Sequence, residues 1–162
     1  METKEIIIDL FLLSAIVVPI ALLIRSATKA NSMLKKELIK LNSNLPIVND
    51  IWLRRAIAIE SDKVSFVNLG SNEKFFVDLA KIIDCSILLN SDEIITRERD
   101  ISSADTLDIV LVEKGLKNKF IKMNFYDTHH DEPVRANYHL QLAMKWKKII
   151  LDKIQAIKTV KS

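Results

Sequence analysis

Glycine occurs only twice in 162 residues, at Gly70 and Gly115, so no glycine-rich loop is present to cradle a phosphate. Cysteine occurs once, at Cys85, which leaves no disulfide framework within the chain. That thiol sits in an apolar stretch, and it reads as a small buried hydrophobe rather than a nucleophile. Aromatic residues make up 6% of the chain, and Trp146 is the only ring among Lys145, Lys147, Lys148, Lys153, Lys158 and Lys161. The basic C-terminus therefore lacks the stacking surface that single-stranded nucleic acid uses, and nucleic acid is not an expected partner. Serine, histidine and aspartate are present, but no spacing ties them into a triad. The expectation is a protein that is not an enzyme, with no catalytic residue, cofactor or metal.

What the chain does have is a greasy run from Ile6 to Ile24, broken only by Asp9, Ser14 and Pro19. Nineteen residues at about 1.5 Å each approach the ~30 Å hydrocarbon thickness of a bilayer. Three readings compete. A core helix would show a polar stripe, and none exists between Leu10 and Ile24. A cleaved signal wants a positive start, whereas Glu2, Glu5 and Asp9 outnumber Lys4. The favoured expectation is a transmembrane anchor built from Leu10, Phe11, Leu12, Leu13, Ile16, Val17, Val18, Ile20, Leu22 and Leu23, with the Asp9 carboxylate reaching the interface.

Charge is uneven: −2 over residues 1–24, +5 over 25–59, −6 over 60–132 and +6 over 133–162. Arg25, Lys29, Lys35 and Lys36 follow the run directly and are expected to face lipid headgroups. By the positive-inside rule the N-terminus would lie outside and the remainder in the cytoplasm, a single-pass protein of the cell inner membrane.

Beyond the run, Leu34, Leu38, Leu41 and Leu45 recur at helical spacing with lysines between them, a short seam that would allow self-association and a homo-oligomer. Pro46 ends that helix. Strands are then expected at Ala56–Glu60, Val64–Asn68, Phe75–Asp78, Ile82–Leu89, Ile94–Glu98, Leu107–Val112 and Lys119–Tyr126. A closing amphipathic helix is expected from Val134 to Ile157, with Pro133 in its first turn and Leu140, Ala143, Ile150, Ile154 and Ile157 on its apolar face. The expected organisation is an anchor over 1–25, a juxtamembrane helix over 26–46 and a folded domain over 47–162.

Seven short strands followed by one long helix is similar to the pleckstrin-homology superfold. The stretches from Lys81 to Asn90, Leu107 to Val112 and Phe120 to Phe125, with the Ala143/Trp146/Ile150 helix, resemble bacterial pleckstrin-homology-like domain proteins with an N-terminal membrane anchor. The resemblance implies an α+β fold: a seven-stranded antiparallel bent barrel capped by the C-terminal helix. It also implies a membrane-anchored scaffold that recruits a protein partner. The alternative is a structural subunit of a larger bacterial membrane complex, such as a defence or immunity system. Lipid-site residues do not carry over, because the first hairpin loop, Ser61-Asp62-Lys63, holds a single lysine.

One cluster invites a metal reading: Asp127, His129, His130, Asp131 and Glu132, with His139 nearby. Adjacent histidines diverge, and no pair sits at helical i, i+4 spacing. A solvated acidic loop entering a helix is the favoured reading.

Overall fold

A computed structural model describes residues 3–41, 48–90, 92–115 and 119–160; the side chains of residues 3–12, 14, 23 and 48 lie outside the description. The elements are α1 (Thr3–Leu41), β1 (Val48–Trp52), β2 (Arg55–Glu60), β3 (Lys63–Asn68), β4 (Glu73–Asp78), β5 (Ile82–Leu89), β6 (Glu93–Ile95), β7 (Thr106–Glu113), β8 (Lys119–Asp127) and α2 (Ala136–Val160). They form two four-stranded antiparallel sheets, ordered β1-β2-β3-β4 and β6-β5-β7-β8.

The hairpins of the first sheet turn on residues with positive φ: Leu53 at 48°, Ser61 at 52° and Asn72 at 57°. Asparagine tolerates that region through its short polar side chain, whereas leucine adopts it only when its surroundings enforce it. The chain leaves the first sheet at Asp78, whose carboxylate accepts from the Ala80 amide at 2.9 Å and caps a single 3-10 turn, Leu79–Lys81. β5 then begins the second sheet. In β8 a bulge pairs Leu107 with Tyr126 but Asp108 with Asn124, and both Phe125 and Tyr126 end up buried.

One core joins the sheets and α2. Trp52 and Phe66 from the first sheet meet Phe125 from the second, with ring centroids 4.8 and 6.3 Å from it. Leu140, Ala143, Trp146, Ile150, Ile154 and Ile157 of α2 are buried in the same cluster. The Trp146 indole donates to Asp50 Oδ2 at 2.8 Å, and Lys145 Nζ lies 2.6 Å from the same oxygen, which ties α2 to β1. A smaller core lies on the other face of the first sheet, where Leu34 and Leu38 of α1 bury against Ala56, Ala58 and Val67.

Two expectations are corrected here. The first is the bent barrel. Among the described residues there are eight strands rather than seven, and the sheets remain open rather than closing on each other. The 3-10 turn interrupts the ladder between β4 and β5. Where β1 approaches β8, side chains make the link: Trp52 Nε1 reaches the Phe125 carbonyl at 3.4 Å in place of a backbone ladder. The resemblance to the pleckstrin-homology-like proteins falls with the barrel, and only the α+β class stands.

The second correction is the membrane anchor. Among the described residues no helix is long and apolar enough to cross a membrane. Asp9 and Arg25 leave fifteen uncharged residues between them, or about 22 Å of helix against a ~30 Å core. The earlier expectation reached nineteen only by granting Asp9 the interface. The single-pass, N-out topology and the inner-membrane localisation lose their basis, and so do the lipid partner, the anchored scaffold and the membrane-complex subunit. The protein-partner expectation rested on the same footing. Leu10, Phe11, Leu12 and Leu23 have side chains outside the description. Leu13, Ile16, Val17, Val18, Ile20 and Leu22 are exposed along α1, as are Arg25, Lys29, Lys35 and Lys36. α1 runs unbroken past residue 25.

Candidate functional site

Arg55 opens β2, and its side chain is inward-facing in phase with Ile57 and Ile59, where a cation needs a buried partner. The partner is Asp131, contributed by the loop that enters α2. Arg55 Nη1 lies 3.0 Å from Asp131 Oδ1 and 2.9 Å from Oδ2, and the two side chains are 3% and 2% exposed. Asp131 Oδ2 also accepts from the Asp127 amide at 2.9 Å. The second guanidinium nitrogen, Nη2, donates to Asn124 Oδ1 at 2.8 Å, and Asn124 Nδ2 donates to Asp108 Oδ1 at 2.9 Å. A chain of polar contacts thus runs from β7 through β8 and β2 to the α2 entry loop. Burial pushes the Asp108 carboxyl above its usual range despite the Asn124 bond.

One nitrogen is left over. Arg55 Nε finds no hydrogen-bond partner among the described residues. A buried donor in that state typically costs about 1–3 kcal/mol, so its retention calls for an explanation. Arg55 lines a cleft of about 240 Å³, shared with Ala27 of α1, Leu53 and Arg54 of the β1–β2 turn, Asn68, Gly70, His130 and Asp131. Asn68 Oδ1 accepts from the Gly70 amide at 2.9 Å and fixes the β3–β4 turn that forms one wall. A Cβ on Gly70 would stand 3.1 Å from that oxygen, which favours glycine there.

Two further orphans lie close by. His139 of α2 is fully buried, and among the described residues neither its ring nitrogens nor the Tyr126 hydroxyl finds a hydrogen-bond partner. The two rings are 5.6 Å apart. Burial depresses the His139 pKa to about 4, against the pull of Asp131, so the imidazole is neutral at pH 7.

The sequence-expected sites distribute differently. Leu34 and Leu38 are buried and Leu41 is half-buried against the first sheet, so this part of the seam packs within the chain; Leu45 lies outside the described residues. His129 and His130 are exposed, while Asp127 Oδ1 accepts from the His129 amide at 2.9 Å in a tight turn. Among the described residues no group of three or more His, Cys, Asp or Glu side chains could hold a metal ion. Cys85 is buried, and burial pushes its thiol up to about 12, so it is not a thiolate at neutral pH. Sequence reasoning missed Arg55, and it placed Asp131 and His139 in or beside a solvated acidic loop, whereas both are buried. The available signals were an arginine in phase with inward isoleucines and a histidine at helical spacing from Ala136 and Ala143.

No family model, curated protein or solved structure matches the chain.

Proposed function

We propose that the chain is a non-catalytic protein that binds a small ligand in the cleft between α1, the β1–β2 and β3–β4 turns and the α2 entry loop. The carrying observation is the convergence of Arg54, Arg55, Asn68, His130 and Asp131 on one concavity whose other walls include Ala27 and Leu53. A few converging polar groups in an otherwise apolar recess is the usual character of a ligand site. The volume of about 240 Å³ falls below the ~300–1,000 Å³ of drug-sized sites, which points to a small occupant. The strained Leu53 backbone lies at the same place, and such conformations concentrate at binding sites.

The non-catalytic half of the reading rests on the side chains at hand. Nucleophilic chemistry needs an activated thiol or a hydroxyl beside a base. The lone thiol is buried and protonated, and among the described residues the buried imidazole touches no hydroxyl within bonding distance. A fragment screen by amide chemical-shift mapping tests the proposal. Shifts should cluster at residues 53–55, 68–72 and 130–131. Clusters elsewhere would defeat the assignment of the site, and turnover of a bound fragment that His130→Ala abolishes would defeat the non-catalytic reading.

A further inference from the structure

Tyr126 and His139 carry polar atoms into the core, away from the cleft, whose lining includes neither residue. Tyr126 follows the β8 bulge and is buried with its hydroxyl, and His139 sits on the buried face of α2 between Ala136 and Ala143. The two rings stand 5.6 Å apart and are tilted by 34°. The hydroxyl nevertheless bonds to neither imidazole nitrogen, and among the described residues Tyr126 Oη, His139 Nδ1 and His139 Nε2 all lack a hydrogen-bond partner. Asp131 acts on both groups electrostatically, but its oxygens already accept from Arg55 and from the Asp127 amide. We infer that an ordered internal water bridges the Tyr126 hydroxyl to the imidazole of His139.

The chemistry of the two side chains selects this occupant. A neutral imidazole offers one donor and one acceptor, and a phenol offers one donor and its oxygen lone pairs. Water matches either arrangement because it both donates and accepts, and internal waters typically hold about two to four such bonds. A dry contact between the rings would leave their polar atoms in a poor solvent, which native cores avoid. A metal ion fits less well, since among the described residues no group of three or more His, Cys, Asp or Glu side chains could hold one. The water ties the end of β8 to the first turn of α2.

A crystal structure of the full chain, at a resolution that shows ordered solvent, tests the bridge directly. Density for a single oxygen should lie within about 3.2 Å of Tyr126 Oη and of one His139 ring nitrogen. Solvent-oxygen magnetic relaxation dispersion, which detects waters held longer than the protein tumbles, supplies the solution measurement. Tyr126→Phe keeps the ring and removes the hydroxyl, so the variant should lose a long-lived water or release it faster than the parent. Should that variant fail to fold, the density in the parent decides alone. A direct bond between the hydroxyl and the imidazole overturns the inference, as does a structure in which protein groups satisfy both with no oxygen between them. Density that only a larger molecule fits has the same consequence. An unchanged dispersion in folded Tyr126→Phe would show that the hydroxyl holds no such water, and the bridge would fall.

Discussion

At the residue scale, the Arg55–Asp131 pair is where stability and the proposed site meet. Both groups are buried, so removing one strands the other in a poor solvent. Asp131→Ala should cost about 3–5 kcal/mol in urea unfolding, whereas the paired change Arg55→Met with Asp131→Leu should cost less than the sum of the single changes. Additive losses would show that the two groups act independently. His139 gives a pH signature with a defined sign. Its folded pKa is about 4 and its unfolded value near 6.5, so the unfolded chain binds more protons between them. Stability should therefore be flat above about pH 6.5 and fall as pH drops toward about 4. Asp108 acts oppositely, since its raised pKa means protonation favours the folded state as pH falls. The slope that disappears in His139→Gln isolates the imidazole; an unchanged slope would assign it elsewhere. The Arg55–Asp131 pairing was not legible in the sequence, because one partner comes from β2 and the other from the loop before α2. Spacing along a chain does not report which distant loop supplies a counter-ion.

At the element scale, the readable parts were those whose burial is periodic. α2 carries its apolar residues at three- and four-residue steps, and Leu140, Ala143, Ile150, Ile154 and Ile157 are all buried. β1 escaped notice because Asn49 and Asp50 interrupt its apolar pattern, and its turn uses Leu53-Arg54 rather than asparagine or glycine. Leu53 at φ 48° should be relieved by glycine. Leu53→Gly should raise stability by about 1 kcal/mol in thermal or urea unfolding, and a loss would mean that its side chain contributes more than the strain costs. The docking of α1 is equally open to test. Leu34 and Leu38 are 0% and 2% exposed, so Leu38→Ala should cost about 2–5 kcal/mol if that contact belongs to the cooperative fold. A cost near zero would separate α1 from it.

At the scale of the whole molecule, the sequence carried the α+β class but not the relation between the sheets. Alternation says which side chains point inward and is silent on whether two sheets close or stay open. That choice is made by the capped turn at Leu79–Lys81 and by side chains bridging β1 and β8, both of which are tertiary facts. The same limit applied to α1. A run of apolar residues is compatible with lipid, with a core or with an exposed face, and composition alone did not decide among them. Here α1 has two unlike parts: exposed apolar residues from Leu13 to Ile24, and a docked part around Leu34 and Leu38 that Glu37 reinforces through Lys74 of β4 at 3.0 Å. Local stability follows buried contacts, so hydrogen exchange on the intact chain should divide α1. Amides near residues 15–22 should exchange through local opening, well before those at 34–38, and the latter should slow toward the rates of β2 and β3. Equal protection along the helix would mean that the exposed part is covered by something absent from the fold described here. Fast exchange at both ends would instead undo the docking of α1 and remove Ala27 from the wall of the cleft.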